Sequence, residues 1–70
     1  MDMQRLREER LRRNLTQLQV AVRVGLHPST LAHLESGKAY AWPKWRKSLE
    51  RFYGVPADDL FAEAKEADDD

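Results

Sequence analysis

Two histidines are the side chains of this sequence best suited to acid–base or metal chemistry. His27 and His33 lie six positions apart, and neither has an Asp, Glu or Cys companion at metal-ligand spacing. The sequence contains no cysteine and no glycine-rich phosphate loop. We therefore expect no metal site, no cofactor, no small-molecule substrate and no enzymatic activity.

The charged residues are divided unevenly along the chain, although the formal net charge is 0. Residues 1–56 hold 11 Lys+Arg against 5 Asp+Glu, whereas residues 57–70 hold 1 against 7. A basic body suits a polyanionic partner such as nucleic acid. It is also typical of a solvated surface with an acidic, solubilising tail, so charge alone leaves both interpretations open.

Length and composition indicate one small globular domain. The chain has 70 residues, of which 41% are hydrophobic, too many for a wholly disordered chain. We expect a domain over residues 1–66 and an acidic, disordered tail over residues 67–70. Since there is neither a long apolar run nor a signal-peptide pattern, we expect a cytoplasmic protein without membrane contact.

The elements that must position any functional side chain are helices throughout. Breakers divide the chain into five helical segments, at about residues 2–13, 16–25, 28–36, 43–54 and 57–64. Thr16 and Gln19 form the pattern of a capping box, and Gly25 is placed to end that helix. The third segment begins at Pro28 and stops before Gly37. The sequence therefore predicts an all-α fold.

The connection between the second and third segments is only a few residues long, around Gly25. Such a connection makes two helices cross steeply, so that the second can project while the first braces it. This is the geometry by which a helix enters the major groove of DNA.

The stretch TQLQVAVRVGLHPSTLAHLESGK resembles the helix-turn-helix of the lambda-repressor-like family. Gln17 opens the first helix of the motif, Ala21 occupies the helix crossing, and Gly25 lies in the turn. LESGK matches the end of the recognition helix and GVPADDLF the link into a fifth helix. The resemblance implies a five-helix domain whose helices 2 and 3 form the motif. It also implies a transcriptional regulator that binds double-stranded DNA with sequence preference.

The resemblance places the DNA contacts on and around the third helix. Base contacts are expected from His27, Pro28, Ser29, Ala32 and His33. Phosphate contacts are expected from Gln17, Thr30, Ser36, Gly37, Lys38, Tyr40 and Lys44. Because Pro28 and Ala32 offer no hydrogen bonds, direct readout is expected to be modest or supplemented by DNA shape.

The resemblance implies two further features. Arg10 shares a face with Leu6, and we expect it to form a partly buried structural ion pair with Glu35. A homodimer is expected to meet through the fifth helix and the preceding loop, near Tyr53, Val55 and Phe61.

An alternative interpretation is a protein-interaction module of the same fold, antitoxin-like or anti-repressor, with weak or no DNA readout. The poor hydrogen-bonding capacity of Pro28 and Ala32 favours it. So does the apolar pair Leu18 and Val22, which lies off the predicted core stripe. Trp42 could belong either to the core or to such an interface.

Overall fold

The computed structural model describes residues 5–62, which form five helices and no strand. The helices are α1 (Arg5–Arg12), α2 (Gln17–Val24), α3 (Pro28–Ser36), α4 (Pro43–Tyr53) and α5 (Ala57–Leu60). The predicted all-α fold is confirmed for this part of the chain. The predicted start of the first helix, the end of the predicted domain and the acidic tail lie outside the described residues.

Local capping sets the ends of α2. The Gln19 backbone N–H donates to Thr16 Oγ1 at 3.0 Å, and the Thr16 N–H donates to Gln19 Oε1 at 2.8 Å. This is the complete capping box that the sequence predicts. Gly25 ends the helix in the left-handed region at φ 77°. Residues with a Cβ rarely adopt that conformation, so the turn after α2 favours glycine.

One core holds the five helices together. Its buried apolar side chains come from every helix: Leu6, Val20, Ala21, Leu31, Leu34, Leu49, Tyr53 and Leu60. Helix α2 packs against α3 and α4, while α1 packs against α3 and α5. The core therefore fixes the inner sides of α2 and α3 relative to the rest of the domain.

Helix α5 is shorter than the predicted segment, which extended to about residue 64. It ends at Leu60, and the Ala62 N–H then donates to the Asp59 carbonyl at 3.3 Å in a tighter turn. The Ala62 carbonyl accepts from the Arg5 N–H at 3.1 Å. The first N–H groups of a helix lack partners within it, so this bond satisfies one donor at the start of α1.

The structure shows how accessible Tyr53 and Trp42 are, two aromatic residues that the sequence analysis named as candidate interface residues. Tyr53 is only 5% exposed and belongs to the core, so little of its side chain is accessible to the predicted dimer interface. Trp42, for which core and interface were both open, is an exposed side chain immediately before α4.

Candidate nucleic-acid interface

The turn between α2 and α3 consists of three residues, Gly25, Leu26 and His27. The Leu26 N–H donates to the Ala21 carbonyl at 2.9 Å, which closes the end of α2. Leu31 and Leu34 lie on the inner side of α3 and are 0% and 1% exposed. One side of α3 is therefore fixed in the core while its other side faces outward.

The outward side of α3 carries the residues predicted to contact bases. Ser29 and His33 are exposed, while Pro28 and Ala32 are partly exposed on the same helix. Thr30, predicted as a phosphate contact, is also partly exposed. The structure therefore brings these five residues onto one accessible helix, and Ser29 and His33 are the two among them with exposed polar side chains.

His27 caps α3, although histidine is not among the residues that N-cap positions prefer. Its Nδ1 accepts from the Ser29 N–H at 3.1 Å and lies 2.8 Å from Ser29 Oγ. Acceptance from a backbone N–H requires an unprotonated Nδ1, so the neutral ring carries its hydrogen on Nε2. The cap therefore leaves the Nε2–H of His27 available as a donor. When the Ser29 hydroxyl donates to Nδ1, the Ser29 oxygen remains available as an acceptor.

A buried ion pair links α1 to α3. Arg10 Nε donates to Glu35 Oε2 at 2.8 Å, and a second guanidinium nitrogen of Arg10 donates to Glu35 Oε1 at 3.1 Å. The side chains are only 9% and 2% exposed, respectively. A third nitrogen of Arg10 donates to the Leu15 carbonyl at 2.8 Å. Such a bidentate arrangement fixes both distance and orientation between the helices.

Gln17 joins this buried network through the same carboxylate. Its Nε2 donates to Glu35 Oε1 at 3.1 Å, although the two residues are 18 positions apart. An amide nitrogen carries two N–H groups, so one remains available for a second acceptor. The sequence interpretation named both residues but placed them in separate roles. The structure connects Gln17 with the ion pair, and no local sequence pattern signals that bond.

The end of α3 uses some of the donors that were predicted to hold phosphates. Gly37 adopts the left-handed conformation at φ 79°, and its N–H donates to the Leu34 carbonyl at 3.3 Å. This geometry does not support the predicted phosphate contact from Gly37, because its donor is already used to end the helix. The Ser36 hydroxyl donates to the His33 carbonyl at 3.2 Å and would have to rotate to reach a phosphate.

The loop between α3 and α4 and the first turn of α4 present the remaining predicted phosphate contacts. Lys38, Tyr40 and Lys44 are all exposed. The Tyr40 and Trp42 rings meet edge to face with centroids 4.8 Å apart, which holds the two aromatic side chains together. The loop and the start of α4 therefore present two cations and a phenol hydroxyl after the end of α3.

Glu9 is a buried carboxylate that the sequence interpretation did not single out. Arg13 lies 2.7 Å from it, Arg12 3.3 Å and Arg5 3.4 Å. The hydrogen bond from Arg13 is the main cause that lowers the pKa of Glu9 below 4.5, against the opposing effect of burial. Arg13 also donates to the Tyr53 carbonyl at 3.0 Å and so ties α1 to the end of α4.

Two helices joined by a three-residue turn, the second with a free outer side, define a helix-turn-helix. The chain matches the family model described as "Helix-turn-helix domain" over residues 4–64. Because that match covers most of the chain, the protein belongs to this family. The match is consistent with the lambda-repressor-like resemblance of the sequence. Neither a curated protein nor a solved structure matches the chain.

Family membership points to DNA binding as the class of function, with a regulatory role. Domains of this family are typically non-enzymatic. Within residues 5–62, every helix is too short or too polar to cross a membrane.

Proposed function

We propose that this protein is a sequence-preferring DNA-binding regulator that places α3 in the major groove of double-stranded DNA. One observation carries the proposal: the outer side of α3 is open, while Leu31, Leu34 and Glu35 hold its inner side in the body. A rigidly held helix with an accessible face is the element that reads base edges in this class of domain. No catalytic role is part of the proposal.

His33 and Ser29 are the proposed base-contacting residues with hydrogen-bonding side chains. If the Ser29 hydroxyl donates to His27, its oxygen is left to accept from the amino group of adenine or cytosine. The His27 Nε2–H can donate to a base or phosphate acceptor. Pro28 and Ala32 supply apolar surface suited to a thymine methyl group. Few polar contacts of this kind imply modest direct readout supplemented by DNA shape.

Gln17, Thr30, Lys38, Tyr40 and Lys44 are the proposed phosphate contacts. Gln17 stands at the first position of α2, where helix N–H groups and the helix dipole favour an anion. Glu35 holds one N–H of its amide inward, so the other can face a phosphate oxygen. The exposed lysines would add salt-dependent attraction to the DNA backbone.

A homodimer is the proposed DNA-bound state, with contacts through α5 and the loop before it. Val55 and Phe61 are partly exposed there and remain the proposed interface residues. Two copies of α3 would then read half-sites about one helical turn, roughly 34–36 Å, apart.

Selection from a random pool of double-stranded DNA tests the proposal. We expect recovery of a preferred sequence, and a palindrome if the dimer forms. Affinity is expected to fall steeply with added salt, because phosphate contacts release counterions. Absence of any mobility shift at low salt would instead favour the protein-interaction alternative.

His33→Ala and Lys38→Ala form a matched pair of variants that separates base from phosphate contacts. His33→Ala should cost about 1–3 kcal/mol on the preferred site and relax discrimination at one base position. Lys38→Ala should weaken binding similarly on every sequence and reduce the salt slope by about one. Equal losses for both variants on all sequences would show that His33 does not read bases.

A further inference from the structure

An apolar groove lies between α2 and α4. It is lined by Leu15, Leu18, Gln19, Val22, Arg23 and Phe52 and has a volume of about 430 Å³. We call it the α2–α4 groove. The proposed DNA-contacting side chains do not line it, so its occupant and DNA need not compete for the same residues.

Leu18 and Val22 give this groove its apolar edge. They are 60% and 71% exposed and lie four positions apart on α2, so they project from the same side of the helix. Phe52, partly buried against the core, adds an aromatic wall from α4. Exposed apolar side chains beside a groove are the usual feature of a surface that receives a partner helix.

The charges around the groove indicate what kind of partner fits it. Arg23 lines the groove, and Arg51 lines the adjoining cleft, which shares Arg23 and Phe52 with it. Neither arginine forms an ion pair with a carboxylate of residues 5–62. No acidic residue of that range lines either depression. Complementarity therefore calls for carboxylates on the partner.

We propose that the α2–α4 groove binds an acidic amphipathic helix of another protein. Apolar side chains of that helix, spaced at i and i+4, would lie beside Leu18 and Val22 and against Phe52. Asp or Glu side chains on its flank would pair with Arg23 and Arg51. This proposal does not depend on DNA binding by α3.

A random-peptide phage library, selected on the immobilised full chain, tests the proposal. We expect enriched peptides with apolar residues at helical spacing and an excess of Asp and Glu. Synthetic versions should lose roughly tenfold or more in affinity for the L18S/V22S variant. They should also bind more weakly to R23E/R51E, while a charge-reversed peptide should bind that variant better. Leu11→Ser is the control, since Leu11 is exposed on α1 and does not line the groove.

Three results would overturn the proposal. One is enrichment without an acidic bias, or no enrichment at all. Another is peptide binding that L18S/V22S leaves unchanged although circular dichroism shows the variant folded. The third is occupation by this chain itself. That would appear as self-association abolished by L18S/V22S, or as tighter peptide binding when Asp68, Asp69 and Asp70 are changed to Ser.

Discussion

Breaking the Arg10–Glu35 ion pair from one side should destabilise the domain severely. Arg10→Met leaves the Glu35 carboxylate, 2% exposed, with the Gln17 amide as its remaining side-chain donor. Glu35→Leu leaves the Arg10 guanidinium, 9% exposed, with only the Leu15 carbonyl. Loss of one partner of a buried pair costs about 3–5 kcal/mol, because the other charge remains desolvated and unpaired.

That cost is a large part of the stability available to a chain of this size. At about 0.05–0.15 kcal/mol per residue, 70 residues give a free energy of unfolding of roughly 4–10 kcal/mol. Each single variant should therefore be close to unfolding at room temperature. The double variant, Arg10→Met with Glu35→Leu, leaves no unpaired charge at this site. It should regain most of the loss, because a buried pair can often be replaced by apolar side chains at little cost.

Urea denaturation followed by circular dichroism measures the free energy of unfolding of all three variants. The exposed pair Arg46–Asp58 supplies a matched control. Its N···O distance is 2.7 Å, close to the 2.8 Å of the buried pair, but its side chains are 31% and 95% exposed. Asp58→Asn should change stability by no more than about 1 kcal/mol. If both single variants at the buried pair also lose less than about 1 kcal/mol, or show no coupling in the double-mutant cycle, the reasoning from burial is wrong.

Three further predictions concern the body of the domain. Gly25→Ala should lower the free energy of unfolding by about 1–2 kcal/mol, because alanine is strained at the φ of 77° that this position adopts. The new Cβ would meet no atom within 4 Å, so steric overlap adds nothing to this loss. An unchanged urea midpoint would contradict the strain argument. Burial raises the pKa of Tyr53 to about 12. Between pH 10 and 12 the phenol therefore ionises in the unfolded state but not in the folded state, so the stability present below pH 10 should decline over this range. Tyr53→Phe should remove that decline. It should cost little stability at neutral pH, because the Tyr53 hydroxyl has no hydrogen-bond partner within residues 5–62. An equal or steeper decline in the variant would refute the assignment to Tyr53. The bond from Arg13 lowers the pKa of Glu9, so stability present above the ordinary value of 4.5 should be lost as the pH falls below it. Glu9→Gln should flatten that acid dependence in urea titrations, and equal slopes for the two proteins would count against it.

The sequence alone determined the helix boundaries that depend on local chemistry. The capping box of Thr16, the start of α3 at Pro28 and the stops at Gly25 and Gly37 all involve groups within a few residues of one another. The choice of residue at these positions depends on groups close in sequence, so residue type and spacing suffice to predict the helix boundaries. The helix-turn-helix family was indicated by the resemblance of the stretch from Thr16 to Lys38 to that motif.

Only the tertiary structure decided how distant polar groups share their partners. Glu35 accepts from Gln17 and Arg10, which are 18 and 25 positions away, and Arg13 reaches the Tyr53 carbonyl across 40 positions. The Arg5 N–H likewise donates to the Ala62 carbonyl, which joins the two ends of the described residues. These contacts require the helices to cross at particular angles, which the packing of the whole core sets.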